Sequence, residues 1–209
     1  MSSRRQMLEF LSLSRLPSAF QEVEYIGSTG EQYIDTNLVA ETTMEFELKM
    51  WQSTDAKSKI FGSRLSAASQ SFALYFNGSN QLTFNFYGNT GALSRDFDTQ
   101  YLILSGKINN SNFECFINGT IYYTLPITSP LYNGNMYLMS YSGNGNPVLP
   151  NTTGQFRLYY CQIYNNSVLV RNFVPCYRKA DNVAGLYDLV NGVFYTNAGS
   201  GTFIVGGNV

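Results

Sequence analysis

Five Asn-Gly dipeptides, Asn77-Gly78, Asn118-Gly119, Asn133-Gly134, Asn144-Gly145 and Asn191-Gly192, constrain this chain more than any other feature. Asn and Gly tolerate the positive φ that a two-residue hairpin turn demands, and these dipeptides lie among short runs rich in aromatic and β-branched residues. Residues 72–76 are expected to pair with 82–87 across the first of them, and residues 113–117 with 121–124 across the second. The clearest strand covers residues 43–51. There Met44, Phe46, Leu48 and Met50 alternate with Glu45, Glu47 and Lys49, so one face meets a core and the other meets water. Turn signals this regular argue for an all-antiparallel sandwich and against alternating βαβ units. The chain shows no repeat of fixed period and no linker, so one domain over residues 20–209 is expected, preceded by an arm over residues 1–19.

Residues 154–201 read as a β-meander. Tyr159, Cys161 and Ile163 alternate with Leu158, Tyr160 and Gln162, Asn165-Asn166 turns the chain, and a second apolar run follows. Pro175 is expected to end that run, because it offers no backbone donor to a ladder. Residues 185–188 then pair with 193–196 across Asn191-Gly192. A period of two predicts that Tyr159-Tyr160, like Tyr122-Tyr123, places one ring on each face of its sheet. Rings that point outward are candidates for stacking on sugars or on another protein. Residues 142–154, rich in Gly, Asn and Pro, read as a long loop.

Composition narrows the function. The chain has no histidine, which excludes Ser-His-Asp and Cys-His nucleophile systems and any zinc site that needs imidazole. Its three cysteines, Cys115, Cys161 and Cys176, are odd in number and widely spaced, unlike a disulfide framework or a metal-binding pair. Cys115 shares a face with Phe113 and Ile117 and reads as a small buried hydrophobe; one disulfide among the three stays open. A formal net charge of -1 provides no field to attract nucleic acid or anionic membrane. No run approaches the roughly 18 apolar residues of a membrane span, and the interrupted N-terminus does not read as a signal peptide.

Residues 1–16 are the one helical candidate. Ser2 or Ser3 would cap it, Met7, Leu8, Phe10 and Leu11 would form its apolar stripe, and Pro17 stops the pattern. So short a helix needs a surface to lie on. Either it packs on its own sandwich, or Arg4, Arg5, Met7, Leu8, Phe10 and Leu11 dock another subunit or capsid surface as a helix in a groove.

The run LVRNFVPCYRKADNVAGLYDLVNGVFYTNAGSGTF, residues 169–203, together with EYIGSTGEQYIDT, residues 24–36, resembles a laminin-G-like (concanavalin A-like) jelly-roll module of phage and prophage structural proteins of gut bacteria. The resemblance spans about residues 20–207 and is most specific at its two ends. It implies a two-sheet antiparallel jelly-roll sandwich in a virion protein synthesised in the bacterial cytoplasm. Its partners would be other virion proteins, capsid or tail, with the arm as anchor. The alternative is an adhesin that binds host surface glycans, and homo-oligomerisation is left open. Arg171 and Asp188 lie in the resembling segment and are expected to form a buried, hydrogen-bonded ion pair stapling adjacent strands. Arg64 likewise matches a family-like element and reads as structural.

Folds of this kind also host glycosidases. Their β-glucanases carry Glu-X-Asp-X-X-Glu on one strand, because alternate residues share a face and the two acids must flank the bond about 5 Å apart. Glu22-Val23-Glu24 and Glu45-Phe46-Glu47 have the i, i+2 spacing without the remaining acid, so the expectation is a protein that is not an enzyme. Calcium is the usual cofactor of the class and needs several converging oxygens. Asp96 and Asp98, with Asp55 or Asp181 from other loops, are the nearest approach to such a set; the alternative is that Asp96 and Asp98 cap a turn, and the expectation is no cofactor.

Overall fold

The computed structural model describes residues 15–54, 56–65, 70–94, 97–128, 131–149 and 155–209. Arg4, Arg5, Met7, Leu8, Phe10 and Leu11, on which the expected helical arm rests, lie outside the described residues. The described chain is all-β.

Its strands are β1 (Phe20–Glu22), β2 (Ile26–Ser28), β3 (Ile34–Val39), β4 (Met44–Gln52), β5 (Lys59–Arg64), β6 (Ser71–Phe76) and β7 (Leu82–Phe86). Next come β8 (Asn89–Leu93), β9 (Tyr101–Asn109), β10 (Asn112–Ile117), β11 (Thr120–Pro126), β12 (Asn135–Leu138), β13 (Tyr141–Gly143) and β14 (Asn146–Val148). The last are β15 (Phe156–Asn165), β16 (Val168–Arg178), β17 (Val183–Asp188), β18 (Val193–Thr196) and β19 (Ile204–Val205). They form two sheets. The larger runs β11-β10-β9-β4-β15-β16-β17-β18, with β1 on β16 and β2 between β15 and β19; the smaller runs β14-β13-β5-β6-β7-β8, with β12 joining β3 to β5.

The inward faces of the two sheets meet in one aromatic core. Phe46 and Phe113 from the larger sheet interlock with Phe61, Phe72 and Phe86 from the smaller, with ring centroids 5.3 Å apart for Phe46–Phe61 and 4.6 Å for Phe86–Phe113. Tilted and edge-on pairs of this kind add about 1 kcal/mol each beyond the area they bury. Strand β4 supplies this core with Met44, Phe46, Leu48 and Met50, all fully buried, while Glu45, Glu47, Lys49 and Trp51 face out. Burying each of those apolar side chains contributes about 2 kcal/mol. A second, smaller cluster forms around Leu16, Val174 and Cys176, with Phe20, Tyr187, Leu189 and Phe194 packed against it.

Four local expectations are revised. Pro175 does not end its strand: β16 continues to Arg178 with Pro175 opposite Leu186. The Pro175 carbonyl accepts the Val23 amide at 3.1 Å, and a strand residue points its N–H and C=O the same way. The missing donor therefore faces the seam between the last β15 pair, Cys161↔Phe173, and the first β1 pair, Glu22↔Cys176, where no ladder bond is lost. The β15–β16 reversal uses Asn166 and Ser167, at φ 49° and 60°, one residue later than expected, because Asn165 still pairs with Val168. Residues 141–148 form a hairpin, β13 with β14 across Asn144-Gly145, rather than the start of a long loop. Finally, β13 lies parallel to β5 over Ser142↔Ser63 and Gly143↔Arg64, an exception in an otherwise antiparallel arrangement. All three cysteines are free and buried.

Candidate functional site

The outward face of the larger sheet carries a dense grouping of aromatic and cationic side chains. On β4 the outward phase that holds Glu45, Glu47 and Lys49 continues to Trp51, the single tryptophan of the chain. Register brings Tyr101 of β9 beside Trp51 on one flank and Arg157 of β15 on the other, while Lys49 lies between Ile103 and Tyr160. The pairing of β15 with β4 slips between Leu158 and Tyr160, and Tyr159 is the extra residue. A β-bulge of this kind re-aims side chains. It overturns the expectation of one ring per face, because Tyr159 and Tyr160 are both half-exposed outside, between the buried Leu158 and Cys161.

The rings and cations interleave. The Arg157 guanidinium lies between two rings, its Cζ 4.3 Å from the Trp51 centroid and 4.6 Å from that of Tyr25. Lys49 Nζ is 5.2 Å from the Tyr159 centroid and 5.6 Å from that of Tyr101. Tyr159 stands between Tyr25 and Tyr101, each centroid 5.5 Å away. Tyr160 Oη donates to Glu47 Oε1 at 2.9 Å. Tyr25, Lys49, Tyr101, Arg157, Tyr159 and Tyr160, with Arg15, Glu22, Val23, Glu24 and Val209, line an open cleft of about 660 Å³, and Trp51 backs Arg157 from behind that lining. Burial, and then a hydrogen bond with Tyr101, pushes the Tyr159 hydroxyl up to about 12. Burial and the Glu47 carboxylate push the Tyr160 hydroxyl upward as well. Both phenols therefore stay neutral across the physiological range and offer flat apolar faces, with the Tyr160 proton already given to Glu47.

Farther along β4, Glu45, Glu47, Lys107, Tyr164 and Ser167 surround a smaller hollow of about 270 Å³. Neither acid there is a bare solvated carboxylate. Glu45 Oε1 accepts the Ile108 amide at 2.7 Å, and Glu47 is held by Tyr160. Glu22 makes an ion pair with Arg15, while Glu24 is exposed.

The other residues singled out from sequence lie elsewhere. Arg171 Nε is 3.5 Å from Asp188 Oδ2, and Asp188 is fully buried where β17 leaves for its turn. The pair is remote in register from the cleft, and the expected hydrogen bond within it is absent: Arg171 Nε finds no acceptor, and Asp188 takes its donors from Asn172, Val190 and Asn191. Arg64 lies on the smaller sheet, its guanidinium 5.3 Å from the Tyr75 centroid and 5.0 Å from that of Tyr141, with Nη1 donating to Tyr75 Oη at 3.0 Å. Of the acids considered for calcium, Asp55 and Asp96 lie outside the described residues. Asp98 accepts from Gln52 at 2.8 Å and from Asn80 at 3.1 Å, and Asp181 pairs with Arg178. Among the described residues no three His, Cys, Asp or Glu side chains converge on a point that would hold a cation.

Sequence reasoning passed over Tyr25, Trp51, Tyr101 and Arg157. A signal was present for two of them, since Trp51 continues the polar phase of β4 and Arg157 alternates with the apolar Phe156 and Leu158.

No protein-family model matches this chain, and no curated protein matches it. Among solved structures it is similar to one described as a native glycosidic hydrolase, at 15% identity and a TM-score of 0.38, covering 59% of this chain and 65% of that one. It is also similar to a Bacillus licheniformis β-glucanase, at 14% and 0.40 over 62% and 68%, respectively. A third is the catalytic domain of an endo-1,3-β-glucanase (laminarinase) from Thermotoga petrophila RKU-1, at 12% and 0.41 over 68% and 76%. This chain spans less than two thirds of the length of the first of these. The expectation that the protein is not an enzyme is corrected by these neighbours, all of which are glycoside hydrolases by description; the missing Glu-X-Asp-X-X-Glu strand does not exclude catalysis. The likeness assigns no residue of this chain a catalytic role.

Proposed function

We propose that this protein is a jelly-roll module of the concanavalin A-like kind that binds a glycan along the outward face of its larger sheet. The observation that carries the reading is the cleft in which Tyr25, Tyr101 and Tyr159 stand as a row of rings with Trp51 and Arg157 beside them. Flat aromatic faces pack against the C–H faces of pyranose rings, while phenol, ammonium and guanidinium groups donate to sugar hydroxyls. The β-bulge that turns Tyr159 and Tyr160 to the same side supports the reading, since a regular strand would have buried one of them.

The resemblance to phage modules supplies the setting. The glycan belongs to the surface of a bacterial host, and the protein is displayed on the particle as a head decoration or small appendage, held by the residues that precede Arg15. A glycan array with host-derived polysaccharides, followed by calorimetry on the positives, tests the binding. Trp51→Ala and Tyr159→Ala are each expected to weaken it about tenfold, the equivalent of one lost stacking contact. Binding to no glycan, or binding indifferent to both substitutions, overturns the reading. Assaying the same polysaccharides for new reducing ends, with Glu47→Gln alongside, reports whether the bound chain is also cleaved. Phage particles lacking residues 1–14 are expected to be depleted of the protein.

A further inference from the structure

The cleft holds two cations that the protein itself does not neutralise. Among the described residues no carboxylate comes within ion-pair reach of Lys49 or Arg157; the ion pairs present join Arg15 to Glu22, Arg171 to Asp188 and Arg178 to Asp181. Lys49 is steadied by the faces of Tyr101 and Tyr159. Arg157 is clamped between Tyr25 and Trp51, donates to Gln155 Oε1 at 3.3 Å, and keeps a buried Nε that finds no acceptor. Arg157 also hydrogen-bonds the Tyr159 hydroxyl; the ring faces themselves attract a cation but supply no acceptor oxygens, so Lys49 and the rest of the Arg157 fork retain donors for an incoming anion. The nearby acids leave these donors free: Glu22 is engaged by Arg15 and Glu47 by Tyr160, while Glu24, exposed at the cleft, pairs with neither cation among the described residues.

We propose that the glycan taken by this cleft is acidic, a chain whose repeating unit carries a carboxylate or sulfate that Lys49 and Arg157 meet while the tyrosines stack on its rings. The proposal rests on the glycan reading of the same cleft and sharpens it. Arg157 offers a planar fork that suits a two-oxygen anion, and Lys49 offers a point charge. Ordering both cations over rings before the ligand arrives lowers the side-chain entropy lost on binding.

The test compares chains that differ in charge but share a backbone: polygalacturonate against its fully methyl-esterified form, and dextran sulfate against dextran, with poly-L-glutamate as a charged polymer that is not a sugar. One acidic sugar chain is expected to bind at least about tenfold more tightly than its neutral counterpart, the gain of one charge-assisted hydrogen bond. That preference is expected to shrink at high salt. Lys49→Met and Arg157→Gln are each expected to weaken acidic-chain binding about tenfold. Lys49→Met keeps the apolar stem on the rings, so it decides the matter if Arg157→Gln fails to fold. Preference for the carboxylate or for the sulfate pair identifies the anion. Equal affinity for charged and neutral partners overturns the proposal and leaves the glycan reading standing, equal binding of poly-L-glutamate overturns it as charge alone, and binding of none of the sugars overturns both.

Discussion

Asp188 and Arg171 face each other with 3.5 Å between carboxylate and Nε, yet the carboxylate takes its hydrogen bonds from other groups. Oδ1 accepts the backbone amides of Asn172 at 2.9 Å and Val190 at 3.1 Å, and Oδ2 accepts the Asn191 side-chain amide at 2.6 Å. Asn191 in turn reaches the Val170 carbonyl at 3.0 Å, so Asp188 ties the start of β16 to the turn between β17 and β18. Its charge is balanced by an arginine that does not hydrogen-bond to it.

The order of damage follows. Asp188→Ala strands two backbone donors and is expected to cost about 3 kcal/mol or more, while Arg171→Met leaves the carboxylate with its three donors and costs about 1–2 kcal/mol. Urea unfolding of both variants measures this. A wild-type midpoint for Asp188→Ala beside a lowered one for Arg171→Met would show that the carboxylate is not the organising group.

The second prediction concerns the bulge. Deleting Tyr159 restores a regular register, since Leu158 pairs with Met50 and Tyr160 with Lys49, one position out of step. The deletion variant is expected to fold, because Phe156, Leu158, Cys161 and Ile163 keep their buried phase. It should lose the glycan binding assigned to the cleft. Loss of the fold, seen as a collapsed near-ultraviolet circular dichroism spectrum, would mean that the bulge serves the sheet and not the site.

How far the sequence could be read is clearest along β4 and β15. In β4 the alternation is strict and its inward and outward sets are visible without coordinates. In β15 the same rule holds up to Leu158 and then fails by one residue, and a period-of-two reading has no means of locating a slip between two adjacent tyrosines. Pro175 was misread for a related reason. Whether a missing donor matters depends on which neighbour it faces, and the seam between β1 and β15 arises from segments about 140 residues apart. Two hairpin turns were legible because Asn118-Gly119, at φ 49° and 78°, and Asn144-Gly145, at 53° and 82°, do locally what a two-residue turn requires; Asn77-Gly78 does not, and Asn80 takes the positive φ between β6 and β7 instead. The cleft was not, because Tyr25, Trp51, Tyr101 and Arg157 come together only through the order β9-β4-β15-β2.

A third prediction follows from the edge where the two sheets meet. Tyr123 of β11, in the larger sheet, lays its ring over Gly91 of β8, in the smaller, and donates its hydroxyl to the Ala92 carbonyl at 2.8 Å. A Cβ on Gly91 would stand 2.7 Å from three ring atoms, closer than real contacts allow. Gly91→Ala is expected to cost about 1–3 kcal/mol by overpacking. Tyr123→Phe should cost about 1 kcal/mol, the lost hydrogen bond. Because the Gly91→Ala clash is with the ring, adding Tyr123→Ala should relieve it, and the double-mutant cycle is expected to show strong coupling. Simple additivity would place the strain elsewhere.

The buried thiols set the alkaline limit of the fold. Burial pushes Cys176 up to about 12 from its ordinary value of 9, and it pushes Cys115 and Cys161 up as well. In the unfolded chain these thiols ionise near 9, so above that pH the unfolded state holds fewer protons than the native one. The unfolding free energy must then fall as pH rises. The stability tied to Cys176 is therefore complete below pH 9 and is lost progressively between pH 9 and 12; that tied to Cys115 and Cys161 begins to fall from the same pH. Tyr159, raised from 10 to about 12, adds to the loss over the upper part of that window. Cys176→Ala removes one titrating group from the unfolded state, and its urea midpoint should decline less steeply, a difference of at least about 1 kcal/mol near pH 11. The substitution itself leaves a small void beside Leu16 and Val174, so the comparison is of slopes and not of absolute stability. Identical slopes for the two proteins would mean that Cys176 ionises freely in the folded state and that the cluster around Leu16 is open to water.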